Sequence, residues 1–487
     1  LKTLKYLGVA TVLATTLATA GHAGNTVTFA GAGSSALWKI TEQSAVAKSG
    51  YTNHYSLAGG AFIQDTNGVA GGEKGNIWIA WSGSTGNYTI AYDVQVDSTV
   101  GDRAFFNNDR ITVTRGASDQ SGYAGSSDTT PPSEVFDAVQ AAAINIALTD
   151  ITPSDALVAT ARSMSLGYDK THPILSFFKA GETATPVAFN TASRGFQLIS
   201  IGASPVIVFV NTTDTSATGL GAIANTPGGT EYRSNIDRFT LAGFLSGQLG
   251  RTTDINSDKT LGTGTAVTTI IREPLSGTYN TMEYCIPESA EGGPFTGGKG
   301  QELGVTTNPV NQTASGGKRQ RAIGTGESIK NANLIANSLG YAFWSFPNFS
   351  AAPSLRYLTV DGVDPLFDNY SVSGNEGNLQ PSGTPTFRNI KNGGYPIWSI
   401  LRAVTDATEP AGISTILGNL PAGDFVKSSE LEVFRSYHAT PDATTPSNGN
   451  VSGTTAAGGD VGGAVFPVNA DIDFANDASA ELTDFLQ

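Results

Sequence analysis

The chain has 487 residues with 39 % hydrophobic and 9 % aromatic content, enough to bury a large core and too apolar for wholesale disorder. Its 42 acidic against 28 basic residues give a net charge of -14, which excludes nucleic acid as a natural partner and opposes any anionic ligand at long range. The single cysteine, Cys285, rules out an intramolecular disulfide framework and reads as a buried structural residue, so stability has to come from packing.

The first residues carry Lys2 and Lys5 ahead of a short run of small and apolar residues ending Gly21-His22-Ala23, the layout of a secretory leader over 1–23. Residues 26–30 read as a strand, Gly31-Ala32-Gly33-Ser34-Ser35 as a glycine turn, and 36–40 as the start of a helix. Strand, glycine loop and helix is the order that an anion site at a sheet edge requires, because glycines admit close approach and the helix start offers unpaired N–H groups. The segment lacks a Walker lysine and the full dinucleotide glycine pattern, so it gives nucleotide binding little support.

A second glycine turn is expected near Gly59-Gly60, and 67–130 reads as a strand-rich elaboration of the first domain. A helix over 133–146 leads to Ala147-Leu148-Thr149-Asp150, where Asp150 is a helix-capping or solvated carboxylate, or a buried one that accepts a proton from a partly protonated oxyanion. Residues 204–211 form a continuous apolar strand suited to a covered sheet, and 236–247 a helix ending in glycine. The Lys318-Arg319-Gln320-Arg321 run reads as a solvated face, 339–344 as a strand, and 409–417 and 426–437 as helices. Asp471, Asp473, Asp477 and Glu481 lack the spacing of a calcium loop, and no internal repeat stands out.

The most informative stretch is Arg272-Glu273-Pro274-Leu275-Ser276-Gly277-Thr278. An arginine fork can give two parallel charge-assisted hydrogen bonds to a tetrahedral anion, and Ser276, Thr278 and the N–H groups around Gly277 add donors at a helix start. The same residues also suit an ordinary loop followed by a helix cap. No nucleophile elbow, metal-spaced histidine pair or zinc cysteine set accompanies it, and His54, His172 and His438 are scattered. Binding without catalysis, metal or cofactor is the expectation.

With those residues in view, the chain resembles the phosphate-binding-protein family of bacterial type 2 periplasmic solute-binding proteins. The resemblance runs through 31–35, 55–61, Leu148-Thr149-Asp150, 205–211, 239–247, 272–278, Gly340-Tyr341 and Tyr395-Pro396-Ile397. It implies an α/β, two-lobed type 2 periplasmic-binding-protein fold with a hinge and central cleft, plus loop and strand-rich insertions. Lobe 1 would comprise 24–205 and 395–487 with an insertion near 67–130, and lobe 2 would comprise 206–394. Carried over by motif, Ser34, Ser35, Asp150, Arg272, Ser276, Gly277 and Thr278 would bind phosphate or a related oxyanion in the periplasm or outside the cell. A membrane importer would then be the partner.

The family usually continues its arginine, after one residue, with Asp-Gly-Ser-Gly-Thr. Here Glu273-Pro274-Leu275 precedes Ser276-Gly277-Thr278, and Pro274 removes a backbone N–H. The extra length around 67–130, 290–325 and 440–470 leaves a second role open, a secreted surface or matrix interaction protein that reuses the scaffold without transport and meets surface partners through the insertions. A glycoside hydrolase with a carboxylate pair distant in sequence is a further alternative.

Overall fold

The computed structural model describes residues 24–64, 73–114, 129–157, 189–221, 235–255, 264–273, 275–286, 310–312, 316–322, 324–367, 377–379, 384–408, 411–421 and 423–432. The expected leader, the acidic segment near 471–481 and the 440–470 extension lie outside them. The fold is mixed α/β. Among the described residues no helix is long and apolar enough to cross a membrane.

Among the described residues fourteen strands form one sheet, and its first half is built on β1 (Thr26–Ser34). Parallel neighbours flank it, β4 (Asn87–Val96) on one side and β6 (Ile146–Thr149) on the other. Beyond β4 the sheet continues antiparallel through β3 (Glu73–Ser84), β2 (Asn53–Gln64) and β5 (Arg110–Val113). Beyond β6 come β15 (Trp398–Asp406) and β7 (Phe196–Asn211), both antiparallel to their neighbours. The second half repeats the pattern around β9 (Thr268–Arg272), with β11 (Gly317–Ala322) and β12 (Ser338–Phe343) as its parallel neighbours.

β7 belongs to both halves. Its early residues pair with β15 up to Pro205↔Trp398, and its late residues pair with β12 from Val206↔Phe343 onward. The change of partner falls at a proline, the one residue with no N–H to leave unmatched in either ladder. The returning chain passes the same point, where Val206 N donates to Ile397 O at 2.8 Å and Tyr395 Oη donates to Val206 O at 2.8 Å.

Helices cover the sheet where their apolar stripes match it. Helices α2 (Ser98–Asn107) and α3 (Ser133–Ala141) bury Val100, Phe105, Val135 and Phe136 with Tyr55, Tyr92 and Val94 in one core on the first half. A second core is continuous from Leu37 and Trp38 of α1 (Ser35–Gln43), through Val206 and Val208 of β7, to Leu241 and Phe244 of α4 (Arg238–Ser246). α4 ends at Gly247 in the left-handed region, φ 79°, as its sequence anticipated. Cys285 is buried in this second core, at the end of α5 (Gly277–Cys285).

Several sequence expectations change. The 31–35 glycine turn is strand: β1 runs to Ser34, and its glycines serve close packing, since a Cβ on Gly33 would stand 2.0 Å from Leu148 O. The 67–130 segment is not wholly an elaboration, because β4 and α2 supply the central parallel unit and, of its strands, β3 and β5 extend the sheet beside β2. The 133–146 helix stops at Ala141, and 426–437 holds a two-residue strand and a 3-10 turn rather than a helix among its described residues. The basic run lies on β11 with Arg319 and Arg321 buried; Arg319 Nη1 reaches Leu245 O of α4 at 3.0 Å. Two of its three charges are thus internal, while Lys318 stays exposed as a solvated face requires.

Candidate functional site

In both halves the chain winds to one side of a central strand and then to the other, which leaves a crevice at that strand's carboxyl end. At β1 the three parallel strands end in Ser34, in Asp97 and Ser98 after β4, and in Asp150 after β6. Ser34 caps α1, its Oγ accepting from Ala36 N at 3.2 Å. The α2 backbone lies directly against the end of β1, because a Cβ on Gly101 would stand 2.5 Å from Gly33 Cα. That approach delivers the Ser98 hydroxyl to Asp150, whose Oδ1 it bonds, while Asp150 N donates back to Ser98 Oγ at 3.4 Å.

The second crevice faces the first. β9 ends in Arg272, and α5 starts after Ser276, whose Oγ accepts from Tyr279 N at 3.4 Å. Thr278 Oγ1 accepts from Arg272 Nη1 at 3.2 Å and donates to Asp150 Oδ2 at 3.4 Å, joining the two halves of the sheet. Glycine is required beside it, because a Cβ on Gly277 would stand 2.4 Å from Asp150 Oδ1 and 2.7 Å from Ser98 Oγ.

Arg272 is 1 % exposed and its fork is filled from within the chain. Glu273, also buried, accepts from Arg272 Nε at 3.1 Å and from Nη2 at 2.6 Å, and Asp97 lies 3.6 Å from Nη2. One cation therefore stands among three carboxylates. Burial pushes Asp97 well above the ordinary carboxylate range, and the neighbouring Glu273 charge adds to the effect. Burial also opposes ionisation of Glu273, but the Arg272 charge and the hydrogen bonds from Asp97 and Arg272 together outweigh it and hold this carboxyl below its usual value. Burial raises Asp150 against the hydrogen bond from Ser98 and the charge of Arg272. The arrangement assigns the negative charge to Glu273 and the retained proton to Asp97, hydrogen-bonded to each other.

Of the sequence candidates, Ser34, Asp150, Arg272, Gly277 and Thr278 meet at this point, and Ser276 frames it as a helix cap. Ser35 turns elsewhere: its Oγ accepts from Thr325 N at 2.8 Å and donates to Thr325 Oγ1 at 3.0 Å at the start of α6 (Gly324–Leu334). Pro274 lies outside the described residues. Asp97 and Ser98 escaped the sequence reading, although a carboxylate-hydroxyl pair between an apolar strand and a helix was their signal. The 55–61 segment, one of the motifs of the resemblance, runs along β2, two strands beyond β4 toward the outer side of the sheet. Among the described residues no group of three or more His, Cys, Asp or Glu is placed to hold a metal ion.

No family model matches the chain, and no curated protein matches it in sequence. Among solved structures it is similar to a putative phosphate ABC transporter substrate-binding protein with bound phosphate from Clostridium perfringens, at 14 % identity and TM-score 0.31 over 49 % of this chain and 76 % of that one. It is also similar to an ABC-type phosphate transport receptor from Vibrio cholerae, at 11 % identity and TM-score 0.29 over 67 % and 82 %. A possible phosphate binding protein from Planctomyces limnophilus shows 11 % identity and TM-score 0.33 over 84 % and 95 %. These likenesses are remote.

Proposed function

We propose that the chain is an extracytoplasmic solute-binding protein whose cleft, between lobes 24–205 with 395–487 and 206–394, takes phosphate or a related tetrahedral oxyanion. The observation that carries this reading is the meeting of Arg272 and Thr278 from one crevice with Asp150, Ser98 and Ser34 from the other. Such a set offers a guanidinium fork, three hydroxyls and the starts of two nine-residue helices, α1 and α5, to the oxygens of one small anion. Asp150 accepts a proton still carried by the ligand and so disfavours a fully deprotonated ion. Ligand entry requires Glu273 to release the Arg272 fork, so Glu273 acts as a tethered stand-in for the anion. The role is binding, with delivery to a membrane importer, and involves no turnover.

One observation favours a second reading. With Glu273 bonded to both edges of its fork, Arg272 is already neutralised, as suits a surface or matrix interaction protein that keeps the scaffold and binds no anion. Calorimetric titration of the purified protein with phosphate, sulfate and arsenate, beside Arg272→Ala, separates the two. Saturable phosphate binding that Arg272→Ala loses upholds the receptor reading, and preference over sulfate implicates Asp150. A well-folded parent that binds none of the three anions leaves the interaction role.

A further inference from the structure

A cavity of about 150 Å³ lies between α1, the outer edge of β2–β4 and the start of α6, and Gly324 links its edge to the Arg272 cluster: Gly324 N donates to Glu273 Oε1 at 3.4 Å, and a Cβ on Gly324 would stand 2.6 Å from Gln95 Nε2. Its walls come from both halves of the sheet: Trp38, Ser56, Asn76 and Gln95 from the first, Gly326 and Asn348 from the second. Three carboxamides thus surround one small space. Asn76 is held in place, its Oδ1 accepting from Gly59 N at 2.8 Å and its Nδ2 donating to Gln95 Oε1 at 2.8 Å. That bond fixes the Gln95 amide and directs its Nε2 away from Asn76; among the described residues Nε2 donates to nothing. Across the cavity Asn348 Nδ2 donates to Ser345 Oγ at 3.0 Å, which orients its Oδ1 toward Gly326, 3.5 Å from where a Cβ there would sit. Among the described residues that oxygen accepts nothing.

The lining is close to neutral, because the Lys39 ammonium at its edge lies 3.8 Å from the buried Glu42 carboxylate. An anion finds no net charge here, and an apolar molecule would strand the amides without partners. A fixed amide donor on one wall and a fixed amide acceptor on the other call for ligand groups that both give and accept a hydrogen bond, which is the property of a hydroxyl. The volume holds on the order of ten waters, the space of a small polyol.

We propose that this cavity is a second ligand site, for a small neutral polyhydroxylated molecule that bridges Gln95 and Asn348. Because the two residues belong to opposite halves of the sheet, occupancy ties those halves together through contacts other than those of the anion cluster. The ligand's hydroxyls would replace water on both amides, while Trp38 and Leu57 supply the apolar wall for its carbons.

Saturation-transfer NMR and calorimetry with glycerol, erythritol and myo-inositol test this on the whole purified protein. Saturable binding of at least one polyol is expected, weakened tenfold or more by Gln95→Leu and by Asn348→Leu, with any phosphate titration unchanged. Gly326→Val provides a variant that leaves both amides intact: its Cβ meets nothing closer than 3.5 Å, so the fold tolerates it while the branched side chain fills the cavity and abolishes polyol binding. Absence of saturable binding by all three polyols, or equal binding by the parent and Gly326→Val, overturns the proposal. Competition by phosphate at the same site overturns its neutral character. Failure of phosphate to bind elsewhere overturns the receptor reading alone.

Discussion

The two crevices have the same winding and opposite chemistry. At the carboxyl end of β1 the chain sets hydroxyls and acids, Ser34, Asp97, Ser98 and Asp150, whereas at the end of β9 it sets Arg272 with its own counter-charge, Glu273, one residue later. The acids of the first crevice stay compatible with burial because hydroxyls and the facing guanidinium serve them, and Asp97 keeps its proton. The arginine of the second is kept charged: burial would lower its pKa, but Glu273, with Asp97 and Tyr341 adding, outweighs this and raises it. The comparison teaches that winding fixes where groups converge, while the identity of one or two strand-end residues fixes the sign of the site.

Removing the cation should break the balance most severely. Arg272→Ala leaves Glu273, Asp150 and Asp97 facing one another without a positive partner, and we expect a loss of about 3–5 kcal/mol, read as a lowered urea midpoint, together with loss of phosphate binding. Next comes the contact surface between the crevices. Gly277→Ala forces a Cβ to within 2.4 Å of Asp150 Oδ1, and a destabilisation of about 1–3 kcal/mol is expected from denaturation, with weakened anion binding.

A third test addresses the acids behind the first crevice. Asp93, on β4 beside Gly31, is pushed up to about 8, by burial first, with the nearby Glu42 charge adding and the Thr41 hydrogen bond opposing. Its folded value lies above its unfolded one, so the folded state binds the extra proton between about pH 4 and about 8. Stability therefore falls as pH rises through that window, by at most about 1.4 kcal/mol per pH unit from this group. Asp93→Asn should flatten the decline in melting temperature, and an unchanged profile would mean that Asp93 is ionised in the fold. Asp424, raised by burial to about 7, contributes in the same direction and limits the flattening. The finest test is Glu273→Gln, which keeps the side-chain shape but frees Arg272 of its bound charge. Phosphate affinity should rise about tenfold, equivalent to about 1.4 kcal/mol, by calorimetry; an unchanged affinity would show that Glu273 does not compete with the ligand.

Much of the site was legible where it is local in sequence. Arg272, Ser276, Gly277 and Thr278 sit within seven residues, so a strand end, a cap and a helix start could be read together. Asp150 was recognisable from the apolar strand before it. Asp97 and Ser98 were not, because the β2–β3 hairpin separates β1 from β4 in sequence, and only strand pairing returns β4 to the side of β1. Arg319 and Arg321 read as solvated because charge usually lies outside, and the packing of α4 over β11 reversed that.

The sequence by itself determined the α/β class, the central apolar strand through 204–211 and the glycine that ends α4, since apolar periodicity, β-branched runs and cap residues act over a few neighbours. It also determined that an arginine and a Ser-Gly-Thr helix start stand together. Only the tertiary structure decided that two crevices of opposite chemistry face each other, that Glu273 fills the arginine fork, and that Gln95 and Asn348 border one cavity. Those outcomes depend on which distant strands pair and how closely glycine-marked backbones approach, and no short-range pattern encodes either.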